Sequence, residues 1–198
     1  MKILNVLKIF SFFRMKQESS PSAPKPKVTF QDLLLKHAVR EVGIVETSRN
    51  QGPGIEKYWK ATDYGVAGYQ KRLAYCAAFM CWIFMQAASE YKVIFSLPNK
   101  AGVIRWLEWA EKNSSVVTKL QPTHKVRRGD ILIFDFNGPD VTGGKHIGIA
   151  SRDEENGKIY SIEANTSISD QGSQSDGGGV HPKIRTKKFL IAVLRLSV

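Results

Sequence analysis

A cysteine can cut an amide only when a base takes its proton and a third group orients that base. The chain offers two cysteines, Cys76 and Cys81, and four histidines, His37, His124, His146 and His181, for such a set. Cys76 stands in LAYCAAFMCW (73–82), where an apolar helix begins. At a helix N-terminus the unpaired backbone N–H groups and the dipole favour a thiolate, and the same N–H groups can face a developing oxyanion. Cys81 follows five residues later, about 140° around a helix that turns about 100° per residue. It therefore points away from Cys76, is not its disulfide partner, and reads as a core residue. The plain alternative for Cys76 is the same fate, a small buried side chain.

The histidines differ in setting. His37 falls on a helix, His124 in the basic loop QPTHKVRRGD, and His181 between a run of glycines and Pro182. His146 opens the strand-like HIGIA directly after a GGK turn, at the lip of a strand from which it can lean over a cleft. Gly148 shares its face and leaves room for backbone or substrate to approach. The next strand-like run ends in SIEAN. Alternation puts Ser161, Glu163 and Asn165 on one face and Ile162 and Ala164 on the core side. A hairpin through RDEENGK (152–158) brings Glu163 near His146, where a carboxylate fixes the imidazole tautomer and supports its charged form. Asn165 could do the same as an amide, or steady substrate or oxyanion. A solvated strand face is the plain alternative. No histidine–carboxylate cluster has metal-ligand spacing, so no metal and no other cofactor is expected.

These side chains need elements to hold them. Thr29, with Asp32 three residues on, predicts a capping box and a helix over about 30–42 closed by Gly43. The polar run 46–65 predicts a loop with a short helix near 55–60. Residues 76–90 predict a central helix, apolar almost all round. Residues 98–112 predict another, starting at Pro98 and carrying Trp106 and Trp109. The period then changes to two, and 130–136, 146–151, 158–165 and 187–196 predict strands. Helices first and antiparallel strands second predict one α+β domain. NGPDVTGGK (137–145) and TSISDQGSQSDGGGVHPKIR (166–185) read as long, glycine-bearing connections able to close over a substrate.

Four segments in this order resemble the CHAP family of cysteine, histidine-dependent amidohydrolases/peptidases, within the papain-like, NlpC/P60-related group. They are YCAAFMCW (75–82), RGDILIF (128–134), KHIGIAS (145–151) and SIEANTS (161–167). The likeness runs over about residues 30–198. It implies a papain-like α+β fold, with N-terminal helices and a nucleophile at the start of a central helix packed on an antiparallel sheet. It implies hydrolysis of peptidoglycan, at the amide joining muramic acid to L-alanine or at a peptide bond of the stem or cross-bridge. The family nucleophile falls on Cys76, its base on His146, its third residue on Glu163 and its fourth polar position on Asn165. EVGIVETSRNQGPGIEKYW (41–59) resembles the leading part of such domains and puts Glu46 and Asn50 beside the cleft. Tyr75 stands where the family often has Trp, as an aromatic wall of the first subsite.

The remaining chain bounds the partners. Its 198 residues, 42% hydrophobic, suffice for one core. A net charge of +11 suits an anionic wall polymer or lipid surface, while the lack of zinc-finger spacing or an arginine-rich block argues against nucleic acid. Residues 1–16 carry a polar side chain at every third position. They could form a weak export signal, an anchor, or an amphipathic helix in contact with a membrane surface. QESSPSAPKPK (17–27) is a tether, and the folded catalytic domain is expected over 28–198. The expected setting is secreted, periplasmic or at the cell wall, and the expected state a monomer. A housekeeping wall enzyme, a phage lysin and an antibacterial toxin with an immunity protein all stay open. So do a papain-like hydrolase or acyltransferase on a non-wall amide, and a non-catalytic binding module of the same fold.

Overall fold

The computed structural model describes residues 27–93, 95–136, 145–169, 173–174 and 177–198. The N-terminal segment 1–16, nearly all of the tether and most of the connection 137–145 lie outside them. Helix α1 (Phe30–Glu41) begins with both arms of the capping box. The Thr29 hydroxyl accepts the Asp32 N–H at 3.1 Å, and the Asp32 carboxylate accepts the Thr29 N–H at 2.9 Å. Two single turns follow, α2 (Glu56–Trp59) and the unforeseen α3 (Val66–Gln70). Gly68 lets α3 lie against Trp59: a Cβ there would sit 2.1 Å from the indole ring.

Helix α4 (Cys76–Tyr91) is the centre of the domain, with Phe79, Met80, Ile83 and Phe84 fully buried. Apolar residues all round its axis are needed because α1 and α2 pack on it from one side and the sheet from the other. Helix α5 (Val103–Lys112) starts five residues later than expected. The carbonyls that would open it are taken elsewhere. Ser96 O accepts the Trp109 indole N–H at 2.7 Å, Asn99 O the Asp63 N–H at 3.0 Å, and Lys100 O the Cys81 thiol at 3.6 Å. Tertiary bonds thus keep 96–101 out of the helix although Pro98 suits a helix start.

Six strands form one antiparallel sheet: β1 (Val117–Leu120), β2 (Ile131–Asp135), β3 (Lys145–Ala150), β4 (Ile159–Thr166), β5 (Gly179–Arg185) and β6 (Leu190–Leu196), in the order β1-β6-β2-β3-β4-β5. The architecture is α+β, as the order of periodicities predicts. Ile131, Ile133, Ile147, Ile149, Ile162 and Ala164 face the helices in the main core. Leu132, Phe134, Ala150 and Ile159 face a smaller cluster on the other side of the sheet. The polar residues that alternate with Ile162 and Ala164 are therefore buried as well, which overturns a solvated face for SIEAN.

Two strands escaped the sequence reading. β1 is a short edge strand on β6. β5 lies within 166–185, so that segment is not one connection but a loop followed by an edge strand. Pro182 sits in it without penalty because an edge strand leaves one side of its backbone unpaired. The pattern is inverted: Pro182 and Ile184 are exposed, while His181, Lys183 and Arg185 are buried.

Candidate active site

Cys76 is the first residue of α4, and its backbone neighbour Tyr75 is non-helical with no side-chain cap. The N–H groups of the first turn are thus not occupied by a capping side chain. Cys76 lines a surface groove of about 480 Å³ with Ala74, Gly102, Ile104, Arg105 and Lys145. A second hollow of about 710 Å³, running towards Asp63 and Lys112, shares Gly102, Arg105 and Glu108 with it. Cys76 is itself buried, 4% exposed. Cys81, equally buried, donates to Lys100 O, and burial pushes its thiol well above the ordinary range. Both cysteines are free thiols.

His146 is completely buried near the start of β3, paired in register with Phe134 of β2 and flanked by the Phe136 ring at 5.7 Å. Its Nε2 lies 3.1 Å from Glu163 Oε2. Its Nδ1 makes no hydrogen bond of ordinary length, and the Cys76 thiol is the other group acting on the ring. Burial alone would lower the imidazole pKa; Cys76 and Glu163 outweigh it and hold it up at about 9. The arrangement favours imidazolium beside the Cys76 sulfur.

Glu163, on β4, is also fully buried. Its Oε1 accepts the Ser161 hydroxyl at 2.5 Å and Arg185 Nε at 3.0 Å; its Oε2 accepts from Arg185 Nη2 besides facing His146. Burial would raise the carboxyl pKa, but His146 and Arg185 hold it down at about 2. The expected hairpin of β3 and β4 is present, and Glu163 pairs in it with Gly148. A Cβ on Gly148 would lie 2.6 Å from Glu163 Cγ and 3.0 Å from Ile162 O. The room left by Gly148 is therefore filled by the Glu163 side chain and not by substrate: the glycine lets the carboxylate cross to His146.

The other expected site residues are set in the chain before Cys76 and at the end of β4. Tyr75 is fully buried, stacked on Tyr58 at 6.0 Å, so it does not wall an open subsite. Burial first, then the neighbouring Glu46 carboxylate, push its hydroxyl pKa up. Glu46 Oε2 accepts the Asn50 N–H at 2.8 Å, and Asn50 Nδ2 donates to Arg72 O at 2.9 Å. Asn50 is 2% exposed, at a positive φ of 55°. Glu46 and Asn50 thus tie the chain leading into Cys76 through Arg72 and Tyr75, and neither is among the residues that line the 480 Å³ groove with Cys76. Asn165 is buried with φ 60°, where the β4–β5 register shifts. It leaves the simple alternation with Glu163, and its backbone acts on the Tyr75 hydroxyl, which makes no hydrogen bond of ordinary length.

The structure brings Cys76, His146 and Glu163 together. His37 pairs with Glu90 at 3.0 Å, His124 is exposed, and His181 stands opposite Glu163 on β5, its pKa lowered by burial and by Lys183. Sequence reasoning missed Arg185. The available signal was the alternation His181, Lys183, Arg185 against Val180, Pro182, Ile184. Among the described residues no three His, Cys, Asp or Glu side chains are grouped to hold a metal ion, and no helix is long and apolar enough to cross a membrane.

A family model described as "CHAP domain" matches residues 66–165. That range holds Cys76, His146, Glu163 and Asn165, and ends before Arg185. No curated protein matches the chain. A solved structure similar to it is that of a wild-type endolysin, LysIME-EF1, at 14% identity and a TM-score of 0.42. The likeness covers 86% of this chain and 65% of the endolysin's.

Proposed function

The chain belongs to the CHAP domain family, and from that premise we propose that it is a cysteine-dependent amide hydrolase acting on peptidoglycan, with residues 28–198 as its catalytic domain. The observation that carries this reading is that Cys76 lies at once in an open groove and beside a buried His146–Glu163 pair. A structural cysteine needs neither.

The chemistry follows from the placement. His146 holds the proton of Cys76 as an imidazolium, and the thiolate attacks the carbonyl carbon of an amide laid in the groove. The N–H of Cys76 donates to the oxyanion at the uncapped start of α4. His146 then gives its proton to the leaving amine, and the C–N bond breaks to leave a thioester on Cys76. Water attacks the thioester, His146 accepting its proton, and a carboxylic acid departs with return of the thiol. Glu163 orients the ring throughout and supports its charge. Asn165 and Tyr75 steady the entry to α4. The bond is either the muramoyl–L-alanine amide or a peptide bond of the stem or cross-bridge.

The test is mass spectrometry of the fragments released from purified peptidoglycan by the wild type and by Cys76→Ala. Free stem peptides made only by the wild type identify an amidase; cut stems or bridges identify an endopeptidase. A folded wild type that releases nothing from several wall chemistries overturns the substrate assignment.

A further inference from the structure

We propose that Arg185 is a positioning residue of the site, acting through Glu163 on the thiol–imidazole pair. This rests on the reading of Cys76 and His146 as nucleophile and base.

The geometry is a two-point grip. Arg185 Nε meets Oε1 of Glu163 at 3.0 Å, Nη2 meets Oε2, and Nη1 donates to Gln174 Oε1 at 2.7 Å. The guanidinium also lies over the Phe136 ring at 4.8 Å, and the same ring stands 5.7 Å from His146. Arg185 is 8% exposed and Glu163 is not exposed at all. A buried planar fork matched to both carboxylate oxygens fixes the plane of the carboxyl group, which a lysine ammonium cannot do. Fixing that plane aims Oε2 at Nε2. The grip lies on β5, beyond the residues matched by the family model.

Charge balance points the same way. Without Arg185, the buried Glu163 carboxylate keeps only the Ser161 hydroxyl and the imidazole. Burial then favours its protonated form. A neutral Glu163 gives His146 no reason to hold its charge in a fully buried position, and the thiolate loses its partner. The other charged and titratable groups around the pair are Cys76 on α4, Lys145 on β3 paired with Asp135 of β2, and His181 and Lys183 on β5. Lys183 is turned to the loop, donating to Ser167 O at 3.2 Å and Ser169 O at 3.3 Å. Besides the imidazolium itself, the cation that meets the carboxylate is Arg185.

The experiment is a double-mutant cycle read as the rate of Cys76 alkylation by iodoacetamide near neutral pH. Peptide mass spectrometry locates the adduct, and circular dichroism confirms folding. Arg185→Gln and Glu163→Gln are each expected to slow alkylation about tenfold or more, with the double variant no slower than the slower single. Arg185→Lys, which keeps charge without the fork, is expected between wild type and Arg185→Gln. Wild-type alkylation in a folded Arg185→Gln, or two losses that multiply in the double variant, overturns the proposal. If Arg185→Gln does not fold, Arg185→Lys decides: an unchanged rate overturns it. The probe needs no cell wall, so failure of the substrate reading leaves this cycle readable. A Cys76 that is inert in the wild type points instead to failure of the nucleophile assignment.

Discussion

Glu163 Oε2 lies 3.1 Å from His146 Nε2, although the residue opposite Glu163 in the ladder is Gly148 and not His146. The carboxylate reaches the imidazole by lying across bare backbone. This one relationship joins the choice of a glycine, the register of a hairpin and the orientation of the His146 ring.

Gly148→Ala is therefore expected to damage the site from within the sheet. The new methyl would meet Glu163 Cγ at 2.6 Å and must push the carboxylate off its line to His146. Overpacking of this kind costs about 1–3 kcal/mol, and fragment release should fall more steeply than stability. A Gly148→Ala protein with wild-type turnover and wild-type Tm would show that Glu163 orients nothing.

Cys76→Ala and His146→Ala are expected to abolish fragment release, with stability changed by less than about 1 kcal/mol for Cys76→Ala. Glu163→Ala should leave more activity than either. Its cost to stability is larger, about 3–5 kcal/mol in chemical denaturation, because Arg185 is left buried without its partner.

Cys81→Ala should leave turnover within a few-fold of wild type while lowering stability by about 1–2 kcal/mol, since it removes a buried sulfur from the packed face of α4. Loss of all activity in this variant, with activity kept in Cys76→Ala, would transfer the nucleophile's role to Cys81.

The buried pair also sets a pH window for stability. His146 is raised from an ordinary 6.5 to about 9, so its contribution is complete below 6.5 and is lost as pH rises through 9. Glu163 is lowered from 4.5 to about 2, so its contribution is complete above 4.5 and is lost as pH falls through 2. Denaturation midpoints measured across pH should be highest between these limits, and the alkaline decline should flatten in His146→Ala. An equal alkaline decline in that variant would place its cause elsewhere.

Much of the candidate site was legible because its signals are local. A cysteine at the start of an apolar run, a histidine at the head of a strand, and a Glu two residues before an Asn each declare their place through helix or strand periodicity. Thr29 and Asp32 declared the start of α1 in the same way. The start of α5 did not follow Pro98, since bonds from Asp63, Cys81 and Trp109 hold 96–101 out of the helix. β5 was hidden by its inverted pattern. Its cations are buried because the partners they need arrive from β4 and the 166–178 loop.

By itself the sequence determined that the main helices precede the strands, the α+β class, the central place of α4, and the hairpin that brings Glu163 towards His146. These rest on periods of 3.6 and 2 and on turn chemistry, which neighbouring residues establish among themselves. Tertiary structure alone decided what fills the space above Gly148, that Tyr75, Glu46 and Asn50 form a linked group at the chain leading into Cys76, and that Arg185 grips Glu163. Each depends on which side chains meet across strands far apart in the chain. Burial then decides whether a polar residue is solvated or bound into a network, and periodicity carries no record of that.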